Sequence, residues 1–170
     1  MNWFAFIIGR ARKGNPVVRM ILSILAALIV VGLLGLTAYV RFAPTQIAQW
    51  HVSLDSSAPV TPGRCAEKIT LIPTGAKASC LLPGSPAEVL EKLDASALTS
   101  ARTLRLAGTP EQGLITWEAR SFLMGFPDYI TAQTRQTPDG TRLDILSRQR
   151  FGEGDMGVNA ARLQDWLNQL

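Results

Sequence analysis

The chain is 170 residues long, 47% apolar and 18% charged, with a formal net charge of +4. So much apolar content and so little charge exclude a disordered chain, and the length fits one domain. A nucleic-acid surface is excluded by where the charge sits: residues 1–41 hold five basic residues and no acid, while residues 42–170 hold the other 12 and all 13 acids, a balance of −1.

Trp3, Phe4, Phe6, Ile7 and Ile8 form a short apolar run suited to the cytoplasmic membrane interface. Residues 20–40 follow, 17 of the 21 apolar and none charged. At about 1.5 Å per residue this segment spans about 31 Å, matching a hydrocarbon core of about 30 Å. It lacks the polar stripe of a soluble core helix and predicts one transmembrane helix. Arg10, Arg12, Lys13 and Arg19 precede it and only Arg41 follows closely. The positive side stays in the cytoplasm, so residues 1–19 are expected inside and the rest outside, in the periplasm of a bacterium. The segment exceeds a signal-peptide core of about 7–15 residues, and Leu36 makes a poor cleavage site after Ala38, so a retained anchor is expected.

Residues 41–64 are rich in Pro, Ser and Thr and read as an extended linker, locally anchored by Trp50. His51 is the only histidine and has no partners for zinc or triad chemistry. Residues 65–170 form the outer domain. Cys65 and Cys80 are either a disulfide, which an outer compartment permits, or two buried thiols; spacing alone leaves both open. Ser85, Pro86 and Glu88 form a capping box opening a helix over about 86–96. Alternating stretches predict strands over 103–107, 114–123, 128–137 and 141–150, and Pro138-Asp139-Gly140 predicts a hairpin turn. Leu163, Trp166, Leu167 and Leu170 make one apolar stripe on a helix over about 158–169. The fold class is α+β: a small antiparallel sheet packed with helices, preceded by one transmembrane helix.

Residues 152–157 spell GxGxxG, but no parallel strand follows and Glu153 and Asp155 would repel a phosphate, so a nucleotide site is rejected. Two readings of the surrounding charges remain. In the first they are structural: Asp155 pairs with an arginine, Asn159 satisfies loop backbone, and Gly152 and Gly157 supply left-handed conformations. In the second, Arg148, Arg150, Asn159 and Arg162, with the helix start, bind an anion or a partner.

Residues 115–122, then Leu123-Met124-Gly125-Phe126-Pro127-Asp128-Tyr129, then Ser147-Arg148-Gln149-Arg150-Phe151-Gly152 through Asp155, Gly157, Asn159 and Arg162 resemble the DUF1499 family. Its C-terminal signature has the form S-R-x-R-x-G-x-x-D-x-G-x-N-x-x-R, met here at every fixed position. The resemblance covers about residues 75–170. It departs at Ser79-Cys80-Leu81-Leu82, where members carry Asn-Cys-Val-Ser. It implies a bacterial, membrane-associated domain and brings no reaction, substrate or cofactor.

The expectation is a membrane-anchored periplasmic interaction domain, a non-catalytic accessory subunit of an inner-membrane complex. Its partners are the lipid bilayer and another inner-membrane protein; no cofactor or metal is implied. Two alternatives differ in class. One is an envelope enzyme using Asp128, Asp155 or Glu118 as acid–base groups. The other is a small-ligand or lipid-headgroup binder with Arg148 and Arg150 at the mouth of an opening between sheet and helix.

Overall fold

The structure is a computed structural model, and it describes residues 15–54, 57, 59–60 and 63–170. The apolar run Trp3–Ile8 lies outside the described residues. The chain divides into two units, Met1–Tyr39 and Val40–Leu170.

Helix α1 covers Pro16–Phe42, 27 residues, and is long and apolar enough to cross a membrane. Asn15 starts it by accepting from the Val17 N–H at 3.0 Å, with Pro16 at the first helical position. Its hydroxyls turn back on their own helix: Ser23 donates to the Arg19 carbonyl at 2.9 Å and Thr37 to that of Leu33 at 2.8 Å. Neither hydroxyl therefore leaves an unmet donor.

The second unit is α+β. A one-turn helix α2 (Ile47–Trp50) and a 3-10 turn (Cys65–Lys68) precede β1 (Thr70–Ile72) and β2 (Gly75–Leu82). Then come α3 (Pro86–Thr99), β3 (Thr103–Thr109), β4 (Leu114–Arg120), β5 (Pro127–Thr137), β6 (Gly140–Gln149) and α4 (Val158–Leu167). The six strands form one antiparallel sheet in the order β1-β2-β6-β5-β4-β3. Strands β3 to β6 are a meander; the Pro138-Asp139-Gly140 turn joins β5 to β6 as expected, and β3 extends the run at its edge. Strands β1 and β2 were not expected. The start of β2 lies close against β6 at Gly75, where a Cβ would overlap the Ser147 carbonyl oxygen.

Helix α3 opens with the predicted capping box: the Ser85 hydroxyl accepts from the Glu88 N–H at 3.3 Å, and the Glu88 carboxylate accepts from the Ser85 N–H at 2.8 Å. Helices α3 and α4 cover one face of the sheet. Trp117, Ile115, Ile130, Leu143 and Ile145 from the strands pack there against Leu90, Leu93, Leu163 and Trp166 from the helices, all essentially inaccessible. The polar tips of the two tryptophans are satisfied. Trp117 Nε1 donates to Asp94 at 2.8 Å, and Trp166 Nε1 to the Ser100 hydroxyl at 2.7 Å. Asp94 also binds Arg105, an arrangement the sequence reading missed. Cys65 and Cys80 are joined as a disulfide, with Cα atoms 5.2 Å apart, at the edge of this core.

The opposite face carries Thr116, Glu118, Tyr129, Thr131, Gln133, Arg135, Arg148 and Arg150, the alternate residues of β4, β5 and β6. It is mostly polar yet largely buried, because residues 43–54 lie across it. This stretch differs from the expected linker. Val40 and Leu54 are buried, and the compact unit begins at Val40.

Candidate functional site

The signature residues of the sequence lie on one continuous stretch, yet the strand period divides them between the two faces of the sheet. Ser147 points to the helices, whereas Arg148 points to the strap of residues 43–54.

On the helix side, α4 starts over a compact polar knot. The Asp155 carboxylate accepts from the backbone N–H groups of Gly157 at 3.0 Å and Asn159 at 2.8 Å. Burial alone would raise its pKa, but these bonds more than offset that and hold it below the usual carboxylate value. Among the described residues no arginine is bonded to Asp155, unlike the first reading of the sequence; the Arg–carboxylate pair of this knot is Arg162 with Asp128, at 3.0 Å. The reason is helical direction: Arg162 lies one turn into α4, over the start of β5, while Asp155 faces the free N–H groups of the helix start. Asn159 is fully buried; its Oδ1 accepts from Arg162 at 2.7 Å and from the Ser147 hydroxyl. It therefore ties helix to strand rather than satisfying loop backbone. Burial lifts the Asp128 pKa above its usual value, against the opposing charge of Arg162. Gly152 and Gly157 do adopt left-handed φ values, 96° and 82°.

On the strap side, four arginines donate to carbonyls at the end of α1 and along the segment that follows it. Arg120 reaches the Arg41 oxygen at 3.4 Å and Arg150 that of Pro44 at 3.1 Å. Arg148 reaches the Trp50 oxygen at 3.1 Å and Arg135 that of Leu54 at 3.0 Å. Arg148 also lies 5.2 Å from the ring of Trp50, which stacks on Tyr129 at 4.1 Å. Burial lowers the Arg148 pKa, with no carboxylate acting against it. The face beneath carries two sets of linked hydrogen bonds. His51 Nδ1 lies 3.0 Å from the Thr116 hydroxyl, which lies 3.1 Å from that of Thr131. Thr131 donates to the Trp50 carbonyl at 2.9 Å. Thr45 bonds Tyr129 at 2.8 Å and Glu118 at 3.3 Å, and Glu118 is held by Arg120 at 2.5 Å. His51 is thus a strap residue.

The arginines do not stand at an opening between sheet and helices; Arg148 and Arg150 share a strand face, but it is the face turned away from α3 and α4. Arg148 and Arg150 donate to strap carbonyls, and Arg150 also to the Tyr129 hydroxyl, while the buried Nε of Arg148 has no partner among the described residues. The three acid–base candidates are likewise engaged: Asp128 by Arg162, Glu118 by Arg120, and Asp155 by the helix start. The concavity between α3 and α4, about 520 Å³, is lined by Lys92, Ser96, Thr99, Asp165 and Trp166 and contains none of them. Among the described residues no three His, Cys, Asp or Glu side chains are placed to share a metal ion.

What sequence reasoning missed is the strap. Its signal was present as Trp50 and His51 within a Pro/Thr-rich stretch, an aromatic pair that a solvated linker has no use for.

The sequence model of a family described as a protein of unknown function, DUF1499, matches residues 56–170. No curated protein and no solved structure matches the chain.

Proposed function

The chain belongs to the DUF1499 family, and from that premise we propose that it is a membrane-anchored interaction domain, a non-catalytic accessory subunit of an inner-membrane complex. In this reading the apolar stretch of α1, residues 20–40, spans the membrane with residues 1–19 in the cytoplasm and the α+β unit in the periplasm. The basic residues ahead of the span support that orientation. A disulfide between Cys65 and Cys80 fits an oxidising compartment.

The observation that carries the reading is the arginine clamp. Arg120, Arg150, Arg148 and Arg135 hold the chain from Arg41 to Leu54 on the sheet. A domain on a slack linker samples a wide volume, whereas one without slack meets only what lies beside its own span. Such a tether favours a partner within the same membrane. The acid side chains support a non-catalytic role, since each candidate is bound into the fold.

The test is purification of the tagged full-length protein from membranes in mild detergent, followed by mass spectrometry and native electrophoresis. The double variant Arg148→Met/Arg150→Met is run alongside. The expected result is a stoichiometric membrane-protein partner held by the native chain and lost by the variant. The variant should also show faster amide exchange across residues 45–54. A native chain that migrates alone would overturn the proposal.

A further inference from the structure

Four large apolar side chains of the unit Val40–Leu170 are more than four-fifths exposed: Phe42 at 81%, Phe122 at 81%, Leu123 at 82% and Met156 at 99%. All four belong to one end of the sheet. Phe122 and Leu123 sit in the turn between β4 and β5, and Met156 in the loop between β6 and α4. The two loops are joined through the rings of Phe126 and Phe151, 6.1 Å apart. Arg120 brings residues 41–42 to the same end, since one of its nitrogens reaches both the Gly125 oxygen at 3.1 Å and that of Arg41. The turns at the other end, 83–85, 110–113 and 138–139, expose no large apolar side chain.

The exposed apolar end is also basic. A concavity of about 400 Å³ is lined by Arg41, Arg102 and Arg120, with Leu104 and Phe122 in its wall. The Arg102 guanidinium lies 5.2 Å from the Phe122 ring centre. Among the described residues only Arg120 of the three has a carboxylate partner, Glu118. Of the other acids near this end, Glu153 lies in the exposed β6–α4 loop, Asp155 is held by the start of α4 and Asp128 by Arg162. Arg41 and Phe42 follow the apolar stretch of α1 directly in sequence.

Exposed aromatic and aliphatic side chains are costly in water, and clustering them beside unpaired cations adds solubility without covering them. A phospholipid surface answers both: its headgroup–acyl boundary takes the apolar tips, and its phosphates take guanidinium groups in forked pairs. We propose that this end of the domain rests on the bilayer surface, with Phe122, Leu123 and Met156 at the headgroup–acyl boundary and the Arg41–Arg102–Arg120 basin holding the phosphate of an anionic phospholipid. This goes beyond the subunit reading, for it requires lipid alone and no protein partner.

The experiment uses the purified full-length chain in lipid nanodiscs, where both membrane faces meet solvent. Cys65 and Cys80 are bonded to each other, so an introduced cysteine is a unique site for an environment-sensitive fluorophore. Labels are placed in Leu123→Cys, Met156→Cys, Asp139→Cys and Leu28→Cys. Asp139 caps the far end of β5, about 34 Å along the strand from its start. In discs containing phosphatidylglycerol, labels at 123 and 156 should emit at shorter wavelength and resist iodide quenching several-fold better than the label at 139. Arg41→Gln/Arg102→Gln should remove the part of that protection that depends on phosphatidylglycerol. Quenching at 123 and 156 equal to that at 139 would overturn the docking. Protection indifferent to phosphatidylglycerol and to the arginine variant would overturn the phosphate seat. The label at 28 separates these from failure of the anchor: if it is quenched as readily as the label at 139 while those at 123 and 156 stay protected, the span is wrong and the docking stands.

Discussion

Asp155→Ala tests whether the signature aspartate serves the fold. The carboxylate accepts from two N–H groups at the start of α4, and one of them belongs to Asn159, which is fully buried. Loss of a helix-start acceptor costs about 0.5–2 kcal/mol, and a buried donor left without a partner costs about 1–3 kcal/mol. The Gly157 N–H is partly accessible, so water replaces that bond. The expected loss is about 2 kcal/mol, or about 8 °C in Tm for a body of this size. The assay is thermal unfolding of the full chain in detergent, followed by the near-ultraviolet dichroism of buried Trp117 and Trp166. Asp155→Asn keeps an acceptor and should lose less than about 1 kcal/mol, since Asn and Asp serve helix starts almost equally. The pH dependence has a definite sign. The folded pKa lies below the unfolded one, so the contribution is complete above the ordinary carboxylate value and is lost as pH falls through the folded value. Native and Asp155→Ala melting curves should therefore converge in acid. An unchanged Tm for Asp155→Ala at neutral pH, or Asp155→Asn as damaging as Asp155→Ala, would refute the reasoning.

Two further outcomes are expected. Burial raises the Asp128 pKa in the folded state, so the fold binds more protons than the unfolded chain just above the ordinary carboxylate value, and this contribution declines as pH rises through that window. Asp128→Asn should remove that slope from urea-unfolding stability measured against pH, while keeping an acceptor for Arg162. The disulfide closes a loop with a sequence separation of 15. Replacing both cysteines by alanine should lower stability by about 3 kcal/mol, read from the urea midpoint.

Much of the fold was legible because its elements obey strong local rules. The apolar stretch, the Ser85 capping box, the Pro138-Asp139-Gly140 turn and the stripe of Leu163, Trp166 and Leu167 each act within a few residues. Strand β2 was not, although Ala76, Ala78 and Cys80 alternate with Lys77 and Ser79. Its inward side chains are small, because α4 and the 3-10 turn approach closely, and small residues give a weak periodic signal. Of the strap, only the anchor at Trp50 was legible. Proline, serine and threonine suit a solvated linker and also an extended segment whose backbone is met by side chains, and the arginines that decide between the two, Arg120, Arg135, Arg148 and Arg150, lie far along the chain. Within the signature, the face shared by Arg148 and Arg150 followed from the strand period. That Asp128 would reach Arg162, displacing the expected pairing with Asp155, depended on packing of α4 over β5, which no local pattern encodes.

The strap also dictates an order of events during folding. Residues 43–54 leave the ribosome early, but their anchoring partners arrive last: Pro44 waits for Arg150, 106 residues on, and Trp50 for Arg148, 98 residues on. Closing such distant contacts is slow, because the entropy of the intervening loop is lost before the contact compensates it. The β4–β5–β6 meander forms from neighbours and is ready first, showing water a surface of threonine, glutamate, tyrosine and arginine. An uncovered surface of that kind stays solvated instead of aggregating, so the nascent domain tolerates the wait. The polarity of the sheet's second face is thus as much a property of the folding chain as of the finished one.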